Sequence, residues 1–218
     1  MAEWHDATEE YLEAILELEE EGTLPIRARL VERLGVSAPS VSETVNRLVD
    51  HGYAELLEDR SLRLTEKGRD VAVAIVRRHR LAERLLVDVI GLEWEKVHRE
   101  ADRWEHVISA DVEEKLVELL GDPAECPHGN PIPGSRRRVE HRADVQLDRA
   151  DPGPVTIARV SEKIELDDAA LQLLATARLI PGSKAVIVGR DSDGVRVATG
   201  SGEQLVPPHV AQRMWVRS

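Results

Sequence analysis

The sequence contains only one cysteine and no long apolar segment, and each of these features excludes a class of protein. One cysteine, Cys126, excludes an internal disulfide framework and is typical of a reducing compartment. No run of roughly eighteen apolar residues, the minimum for a transmembrane helix, occurs. The acidic start MAEWHDATEEYLEAILELEEEG is also unlike a secretion signal. We therefore expect a cytoplasmic protein that has no membrane partner.

The excess of acidic residues argues at first sight against binding to nucleic acid. The chain carries 29 Lys and Arg against 41 Asp and Glu, a formal net charge of −12, whereas basic residues supply most non-specific affinity for DNA. However, acidic residues are concentrated in residues 1–21, and residues 24–50 contain four arginines. This distribution leaves room for a basic DNA-binding face, and bound divalent cations would neutralise and order the acidic part.

Hydrophobic spacing near the N-terminus predicts a helix-turn-helix followed by two short strands. Amphipathic helices are predicted over residues 5–21 and 27–34. Ser37 is a natural N-cap for a third helix that runs to about His51. The stretch YAELLEDRSLRLT, residues 53–65, predicts two strands around a turn, which is typical of the wing of a winged helix.

The rest of the chain predicts more helices and then a small β-barrel. Periodic segments predict helices over residues 65–90, 93–108 and 109–121. A stretch rich in Pro, Gly and Arg follows and predicts a linker. Beyond it, short β-branched runs between residues 155 and 206 alternate with Gly and Asp-Gly signals, with one helical patch at residues 167–177.

Histidine and carboxylate residues recur at helix-face spacing in the predicted middle helices. The pairs four residues apart are His79 with Glu83 and His98 with Asp102, and Asp102 is followed closely by Glu105 and His106. The first helix adds Glu10 and Glu13, three residues apart. Such ligands converging from several helices suit a first-row divalent metal. The alternative is an ordinary solvated helix face in a chain that is 32% charged, but the repetition among apolar neighbours favours metal.

The remaining histidines lack such neighbours, and we expect them to be surface residues without a role: His5, His51, His128, His141 and His209.

The third helix is the predicted reader of DNA bases. Its N-terminal end, where recognition helices reach base edges, would present Ser37, Pro39, Ser40, Ser42 and Glu43. The residues predicted to hold phosphates are Arg27, Arg47 and Arg60. The alternative is that these arginines are ordinary solvated charges. Glu43 can only accept a hydrogen bond, which cytosine N4 could donate.

Several motifs of the chain occur in the order found in one known family. RARLVERLGVSAPSVSETVNRL, RHRLAERLL, KVHREADRWEHVIS and GNPIPG resemble the diphtheria toxin repressor family of metal-dependent regulators over most of the first 135 residues. The C-terminal third is similar, more loosely, to the SH3-like domain of that family.

The resemblance implies two metal ions per subunit. An ancillary site would comprise His79, Glu83 and His98, with Glu162 and Glu165 where the family has Glu-x-x-Gln. A primary site would comprise Glu10, Asp102, Glu105 and His106. The iron-sensing branch has methionine and cysteine at the positions of Glu10 and Asp102, whereas the manganese-sensing branch has carboxylates there and a glutamate at the position of Glu13. Since hard oxygen ligands suit Mn(II), we expect Mn(II), with Fe(II) as the alternative.

The expected fold is mainly α with a small β domain. We predict a winged helix-turn-helix DNA-binding domain (1–73), a helical metal-binding and dimerisation domain (74–140), a linker (141–152) and an SH3-like β-barrel (153–218). The expected function is that of a homodimeric repressor, not an enzyme, without a small-molecule substrate. Mn(II) would order the dimer on an inverted-repeat operator of metal-homeostasis genes. The alternatives from other classes are a dinuclear metallohydrolase and a metal-storage module.

Overall fold

The computed structural model describes residues 2–137 and 144–217. The chain forms two compact units, residues 1–78 and residues 79–218. The first has one buried apolar core and the second has two. The fold is mainly helical with an antiparallel sheet near the C-terminus, which confirms the predicted fold class. Within these described ranges, no helix combines the length and the apolar character needed to cross a membrane.

The first unit contains the predicted helix-turn-helix and wing. Its elements are α1 (Ala2–Glu20), α2 (Arg27–Leu34), α3 (Ala38–Asp50), β1 (Ala54–Leu56), β2 (Leu62–Leu64) and the beginning of α4 (Glu66–Leu85). Gly35 ends α2 in the left-handed conformation at φ 66°. Ser37 caps α3, because its hydroxyl oxygen accepts the backbone N–H of Ser40 at 3.3 Å. β1 and β2 pair antiparallel as the two strands of the wing.

The core of the first unit fixes α1 against the DNA-binding helices. Leu12 and Ile15 of α1 are fully buried with Val41 and Val45 of α3. A buried ion pair adds a polar connection, since Arg33 of α2 lies 3.2 Å from Glu17 and 2.8 Å from Glu21. The side chains of α1 and α2 are therefore held by both packing and charge.

The helical part of the second unit begins with the end of α4. A π-helical turn (Leu86–Ile90) extends α4 and ends at Gly91, where φ is 79°. A 3₁₀ turn (Trp94–Lys96), α5 (Val97–Trp104) and α6 (Ala110–Leu120) follow. The single helix predicted over residues 93–108 is thus divided. The segments pack around a core that includes Leu81, Leu86 and Ala101.

The C-terminal part of the second unit is a six-stranded antiparallel sheet with short helices. Its elements are β3 (Val145–Gln146), β4 (Gly153–Val160), α7 (Glu162–Glu165), α8 (Asp168–Ala177), β5 (Lys184–Asp191), β6 (Gly194–Thr199), β7 (Gly202–Val206), α9 (Pro208–Ala211) and β8 (Met214–Arg217). The strand order is β3-β8-β4-β5-β6-β7. β3 and β8 were not predicted, since two and four residues, respectively, are too few to show alternation, and β3 lies inside the predicted linker.

A loop between α6 and β3 runs closely along the end of β4. The backbone oxygen of His128 accepts the N–H of Val160 at 3.0 Å, and the side-chain amide of Asn130 donates to the oxygen of Val160 at 2.9 Å. Only glycine fits at position 129, because φ is +84° and a Cβ atom would lie 2.2 Å from the oxygen of Ala158. This approach holds the loop beside α7.

Candidate metal centre

Four predicted ligands meet inside the second unit, and we call them the buried group: His79 and Glu83 of α4, His98 of α5 and Glu165 of α7. One ligand atom of each lies within 4.8 Å of all the others. His79 Nε2 is 3.0 Å from His98 Nδ1 and 3.4 Å from Glu83 Oε1, and His98 Nδ1 is 3.2 Å from Glu165 Oε2. All four residues are buried. The arrangement brings imidazole and carboxylate donors together from three helices.

The chemistry of the buried group fits a divalent cation. Carboxylates taken out of water need compensation by charge or hydrogen bonds. Yet Glu83 Oε2 and Glu162 Oε2, both buried, accept no hydrogen bond from the part of the chain that the structure describes. A divalent ion held by the buried group, with Glu162 beside it, would compensate these oxygens, and the mixed N/O donor set of the group suits Mn, Fe, Co or Zn.

Glu162 is held differently from the other carboxylates. The guanidinium of Arg80, which is 1% exposed, donates to Glu162 Oε1 at 3.1 and 2.9 Å and to the backbone oxygen of Pro131 at 2.5 Å. Glu162 Oε2 lies 3.9 Å from His98 Nδ1. One oxygen of Glu162 is thus bound to Arg80, and the other faces the buried group.

Two potential ligands were missed by the sequence analysis. The expectation that His128 is a surface residue is wrong: His128 is fully buried, with Nδ1 3.0 Å from Glu83 Oε1 and 2.9 Å from Glu165 Oε2. Cys126, to which the sequence assigned no ligand role, is also buried, and Glu83, Cys126 and His128 each place a ligand atom within 4.8 Å of the other two. The only signal in the sequence is two metal-ligating residue types two positions apart.

The structure describes the side chains of two of the other four histidines without a predicted role. His51 and His209 are exposed, which confirms that these two lie at the surface. His141 and the side chain of His5 lie outside the described residues.

Burial and charge act in opposite directions on the imidazoles. Burial alone would lower the pKa of His79, but hydrogen bonds to Glu105 and Glu83 outweigh it and hold this pKa well above 6.5. The pKa of His98 is raised well above 6.5 in the same way, by Glu165 and Glu83. For His128, the charges of Glu165 and Glu83 overcome burial and raise the pKa to about 10.

The same contacts keep Glu83 ionised. Burial would raise the pKa of this carboxyl, but the charge and hydrogen bond of His128, with those of His79 and His98, hold it well below 4.5. The raised pKa values of the imidazoles and the lowered pKa of Glu83 therefore have the same cause, the close contact between them.

A second group of predicted ligands lies at the end of α5. Glu105 Oε2 is 2.5 Å from His79 Nδ1, and Glu105 Oε1 is 3.3 Å from His106 Nε2. Asp102 Oδ1 is 3.5 Å from His79 Nδ1 and 3.7 Å from His98 Nε2. The side chain of Asp102 is 49% exposed, whereas that of Glu105 is 3% exposed. His79 therefore contacts the buried group through Nε2 and this second group through Nδ1.

The remaining predicted metal ligands belong to the first unit. Glu10 and Glu13 lie on α1, three residues apart, and therefore share a helix face. Glu10 is exposed and Glu13 is half-buried.

The predicted base-reading residues lie at the N-terminal end of α3. Ser37, Pro39 and Ser40 are exposed, as is Glu43, while Ser42 is half-buried. The backbone N–H groups of a helix N-terminus attract anions, and the small side chains leave this end accessible. These features are compatible with close approach to DNA.

The predicted phosphate-binding arginines surround α3. Arg27 of α2 donates to Asn46 Oδ1 of α3 at 2.9 Å, and Arg47 is half-buried on α3 itself. Arg60 is exposed in the turn of the wing, where it adopts φ 66°. Asp59 stabilises this turn by accepting hydrogen bonds from Ser61, which also lower its pKa. All three arginines lie on elements of the helix-turn-helix and wing.

Two protein-family models match consecutive parts of the chain. The model described as iron dependent repressor, N-terminal DNA binding domain, matches residues 4–62. The model described as iron dependent repressor, metal binding and dimerisation domain, matches residues 65–134. The second match contains the predicted ligands of α4 and α5.

Relatives and solved structures agree with these models. The iron-dependent repressor IdeR of Mycobacterium tuberculosis is 44% identical over 96% of this chain and 95% of its own. The diphtheria toxin repressor of Corynebacterium diphtheriae is 43% identical over 92% of each chain. A manganese-dependent transcriptional repressor in complex with manganese is 32% identical over 97% of this chain and 99% of its own, with a TM-score of 0.83. IdeR of T. acidophilum is 34% identical over 96% of each chain, with a TM-score of 0.77.

The fold and the comparisons define a metal-dependent transcriptional repressor with a DNA-binding domain and a metal-binding dimerisation domain. Within this class, the chain belongs to the diphtheria toxin repressor family.

Proposed function

We propose that Mn(II) is the activating metal of this repressor. The observation that carries the proposal is the donor chemistry of the second group, where Asp102 and Glu105 supply oxygen, His106 supplies nitrogen, and none supplies sulfur. Oxygen-rich sets suit Mn(II), whereas thiolate and thioether ligands favour softer or later metals. The structurally similar repressor in complex with manganese agrees with this choice.

The chain's own residues would hold the ions in two sets. Asp102, Glu105 and His106 would form the primary set, to which we assign Glu10 and Glu13 of α1 from the sequence pattern. The buried group, with Glu162, would form the second set. A bound divalent ion would supply positive charge that neutralises these carboxylates.

Without that charge, the carboxylates of the primary set repel one another. A shared ion would offset this repulsion and so link α1 to the other carboxylates of the set. Because α1 packs against the DNA-binding helices, a metal ion that holds α1 would also hold the DNA-binding domain and so link metal to DNA affinity. A site filled to about a hundred times its dissociation constant stabilises the ordered state by roughly 2.7 kcal/mol.

Fe(II) is the alternative metal. The curated relatives at 44% identity are named iron-dependent repressors, and carboxylate-rich sites bind Fe(II) as well as Mn(II). The choice between Mn(II) and Fe(II) as the activating metal therefore depends on which ion induces DNA binding at the lower free concentration.

For DNA, we propose that residues 1–73 bind the operator, that residues 74–140 bind metal and dimerise, and that residues 153–218 form the SH3-like domain. The N-terminal end of α3 would enter the major groove, while Arg27, Arg47 and Arg60 would contact phosphates. A symmetric homodimer would present two such helices, and we therefore propose an inverted-repeat operator. The exposed Val89, Ile90 and Val107 offer apolar surface in the dimerisation domain.

The deciding experiment is fluorescence anisotropy of the full-length protein on DNA selected from a random pool. Chelator, Mn(II), anaerobic Fe(II) and Zn(II) are compared at one stated salt concentration. We expect tight binding that requires metal and that saturates at lower free Mn(II) than Fe(II). An equal or better response to Fe(II) would assign the protein to iron, and binding without metal would overturn the mechanism.

The role of α1 is tested with a matched pair of variants. Glu10→Ala should abolish metal-dependent DNA binding and leave the dimer intact. Glu20→Ala, at the end of the same helix, should behave like the wild type. Unchanged repression in Glu10→Ala would show that α1 does not link metal to DNA.

A further inference from the structure

Two exposed polar side chains, Glu43 and Asn46, lie one turn apart on α3. The buried residues of this helix, Val41, Val45 and Leu48, define the face that packs on the core. Glu43 lies two positions after Val41 and two before Val45, so at about 3.6 residues per turn its side chain points directly away from the core. Asn46 follows three residues later and shares the exposed face with Glu43.

Arg27 of α2 determines which end of the Asn46 amide is available. Nη2 of Arg27 donates to Asn46 Oδ1 at 2.9 Å, which engages the carbonyl oxygen and leaves the two N–H donors of Nδ2. No residue that the structure describes accepts a hydrogen bond from this Nδ2. Asn46 therefore faces solvent as a hydrogen-bond donor.

Glu43 offers the opposite kind of group. Its carboxylate only accepts hydrogen bonds, and within residues 2–137 and 144–217 no side chain donates to it or pairs with its charge. Residues three apart on a helix have Cβ atoms about 5–6 Å from each other. The exposed face of α3 thus presents one acceptor and one donor side by side.

This acceptor and donor fit the major-groove edge of a C·G pair better than that of an A·T pair. Cytosine offers one donor, N4, and guanine offers two acceptors, O6 and N7. The donor and N7 therefore lie at opposite sides of the edge, with O6 between them. In an A·T pair the donor, adenine N6, lies between adenine N7 and thymine O4, so a carboxylate that reaches N6 meets an acceptor on either side.

The contact with Arg27 also acts against adenine. An unrestrained asparagine binds adenine through both ends of its amide, because Oδ1 accepts from N6 while Nδ2 donates to N7. Since Arg27 engages Oδ1 of Asn46, only the donor end remains for a base. Guanine, whose major-groove groups are both acceptors, is then the better partner.

We propose that Asn46 is a base-reading residue and that, together with Glu43, it selects one C·G pair in each operator half-site. Asn46 Nδ2 donates to guanine N7, and Glu43 accepts from cytosine N4. Arg27 is a positioning residue, since one of its N–H groups holds Asn46 while the others remain for phosphate. This selection rests on the proposed binding of operator DNA by α3, and it does not depend on which metal activates the protein.

The base preference is measured with the full-length protein on duplexes selected from a random pool. Each half-site position is replaced in turn, at one stated salt concentration and at saturating Mn(II), with Fe(II) in parallel. We expect one position at which replacement of C·G by A·T or T·A weakens binding about tenfold or more. Glu43→Gln should move the preference there from cytosine to adenine, because a glutamine amide binds adenine through both ends.

The role of Asn46 is tested with 7-deazaguanine, which keeps the base pair and lacks the N7 acceptor. At the C·G position this base should weaken wild-type binding about fivefold, the effect of one lost hydrogen bond. It should have no effect on the affinity of Asn46→Ala, which has no donor to lose.

Two further variants separate base reading from charge and from phosphate binding. Asp50→Asn removes the same charge as Glu43→Gln at the other end of α3, where Asp50 is exposed, and should leave the base preference unchanged. Arg27→Ala frees the Asn46 amide to turn, so it should lower the ratio of the affinities for the C·G and A·T duplexes. Loss of a phosphate contact alone would weaken both duplexes equally.

Three outcomes would overturn the proposal: no position whose preference changes in Glu43→Gln, an equal effect of 7-deazaguanine on wild type and Asn46→Ala, or equal losses on both duplexes in Arg27→Ala. DNA binding without the expected base preference would overturn this proposal alone. Absence of DNA binding with every metal would overturn the proposed function as well, so the two failures are distinguishable.

Discussion

Nδ1 of His79 and Oε2 of Glu105 lie 2.5 Å apart, both on buried side chains. A carboxylate can only accept, so the imidazole donates through Nδ1, and Nε2 is turned towards Glu83 and His98. Glu105 also reaches His106 with its other oxygen. The bond therefore orients His79 for the buried group and joins it to the second group, as an outer-shell carboxylate orients a metal-binding histidine.

Metal binding to the buried group should release protons. The pKa values of His79 and His98 are raised well above 6.5, so both rings hold a proton at neutral pH that must leave before the nitrogen can coordinate. Affinity for Mn(II) should consequently increase with pH. Calorimetry in two buffers of different ionisation enthalpy at about pH 7.5 should give at least about one proton per ion bound. Equal heats in both buffers would contradict the assignment.

Asp102→Cys should change the order of metal preference. The thiolate replaces a hard oxygen donor by the residue type that the iron-sensing branch carries there, so the Mn(II) concentration needed for half-maximal DNA binding should rise about tenfold relative to that for Fe(II). DNA anisotropy with each metal measures the ratio. Asp102→Asn, which keeps an oxygen and loses the charge, should instead weaken both responses. If the concentrations of Mn(II) and Fe(II) needed for half-maximal DNA binding changed by the same factor in Asp102→Cys, the basis for choosing Mn(II) would be lost.

Gly129→Ala should damage the second unit and its metal binding together. The new Cβ would collide with the backbone oxygen of Ala158, and the alanine would have to adopt a left-handed backbone conformation. Together these effects should lower the free energy of unfolding by about 2 kcal/mol or more. Denaturant unfolding and Co(II) titration would measure the two effects. Gly200→Ala, which meets no atom within 4 Å, is the control. Wild-type stability in Gly129→Ala would show that the loop does not need its close approach to β4.

Arg60→Asn should weaken operator binding without unfolding the wing. Asparagine tolerates the left-handed conformation of this position, while the charge is lost. If Arg60 binds a phosphate, the slope of log affinity against log salt should fall by about one. Arg178→Asn makes the same change at another exposed left-handed position, at the end of α8 in the second unit, and should leave the slope unaltered. An unaltered slope in both variants would exclude Arg60 from the interface.

Local rules explain what could be predicted from the sequence. α2 was predicted with its observed bounds because a glycine in the left-handed conformation stops it, and α3 because Ser37 caps it. His79 and Glu83 were paired because spacing of four places two side chains on one helix face. These signals lie within a single element.

What was missed depends on contacts between elements. His128 lies in a loop without periodicity, and its burial follows from the approach of that loop to β4, which no spacing in the sequence reveals. Likewise, the sharing of Glu83 between two ligand sets follows only from the packing of α4 against the loop and α5. The spacing of Arg80 in the sequence is that of an ordinary solvated charge, but its side chain is buried against Glu162.

The difference in burial between the two groups of ligands sets how fast each could exchange its ion with the cell. Glu83 and Glu165 are inaccessible, so an ion bound there can enter or leave only when the protein opens locally, and the frequency of that opening limits the rate. Asp102, half exposed, sets no such barrier. An ion bound through Asp102 would follow rapid fluctuations of the metal pool, whereas the buried group would average them, so the repressor would stay active through a brief shortage that follows a sustained metal supply.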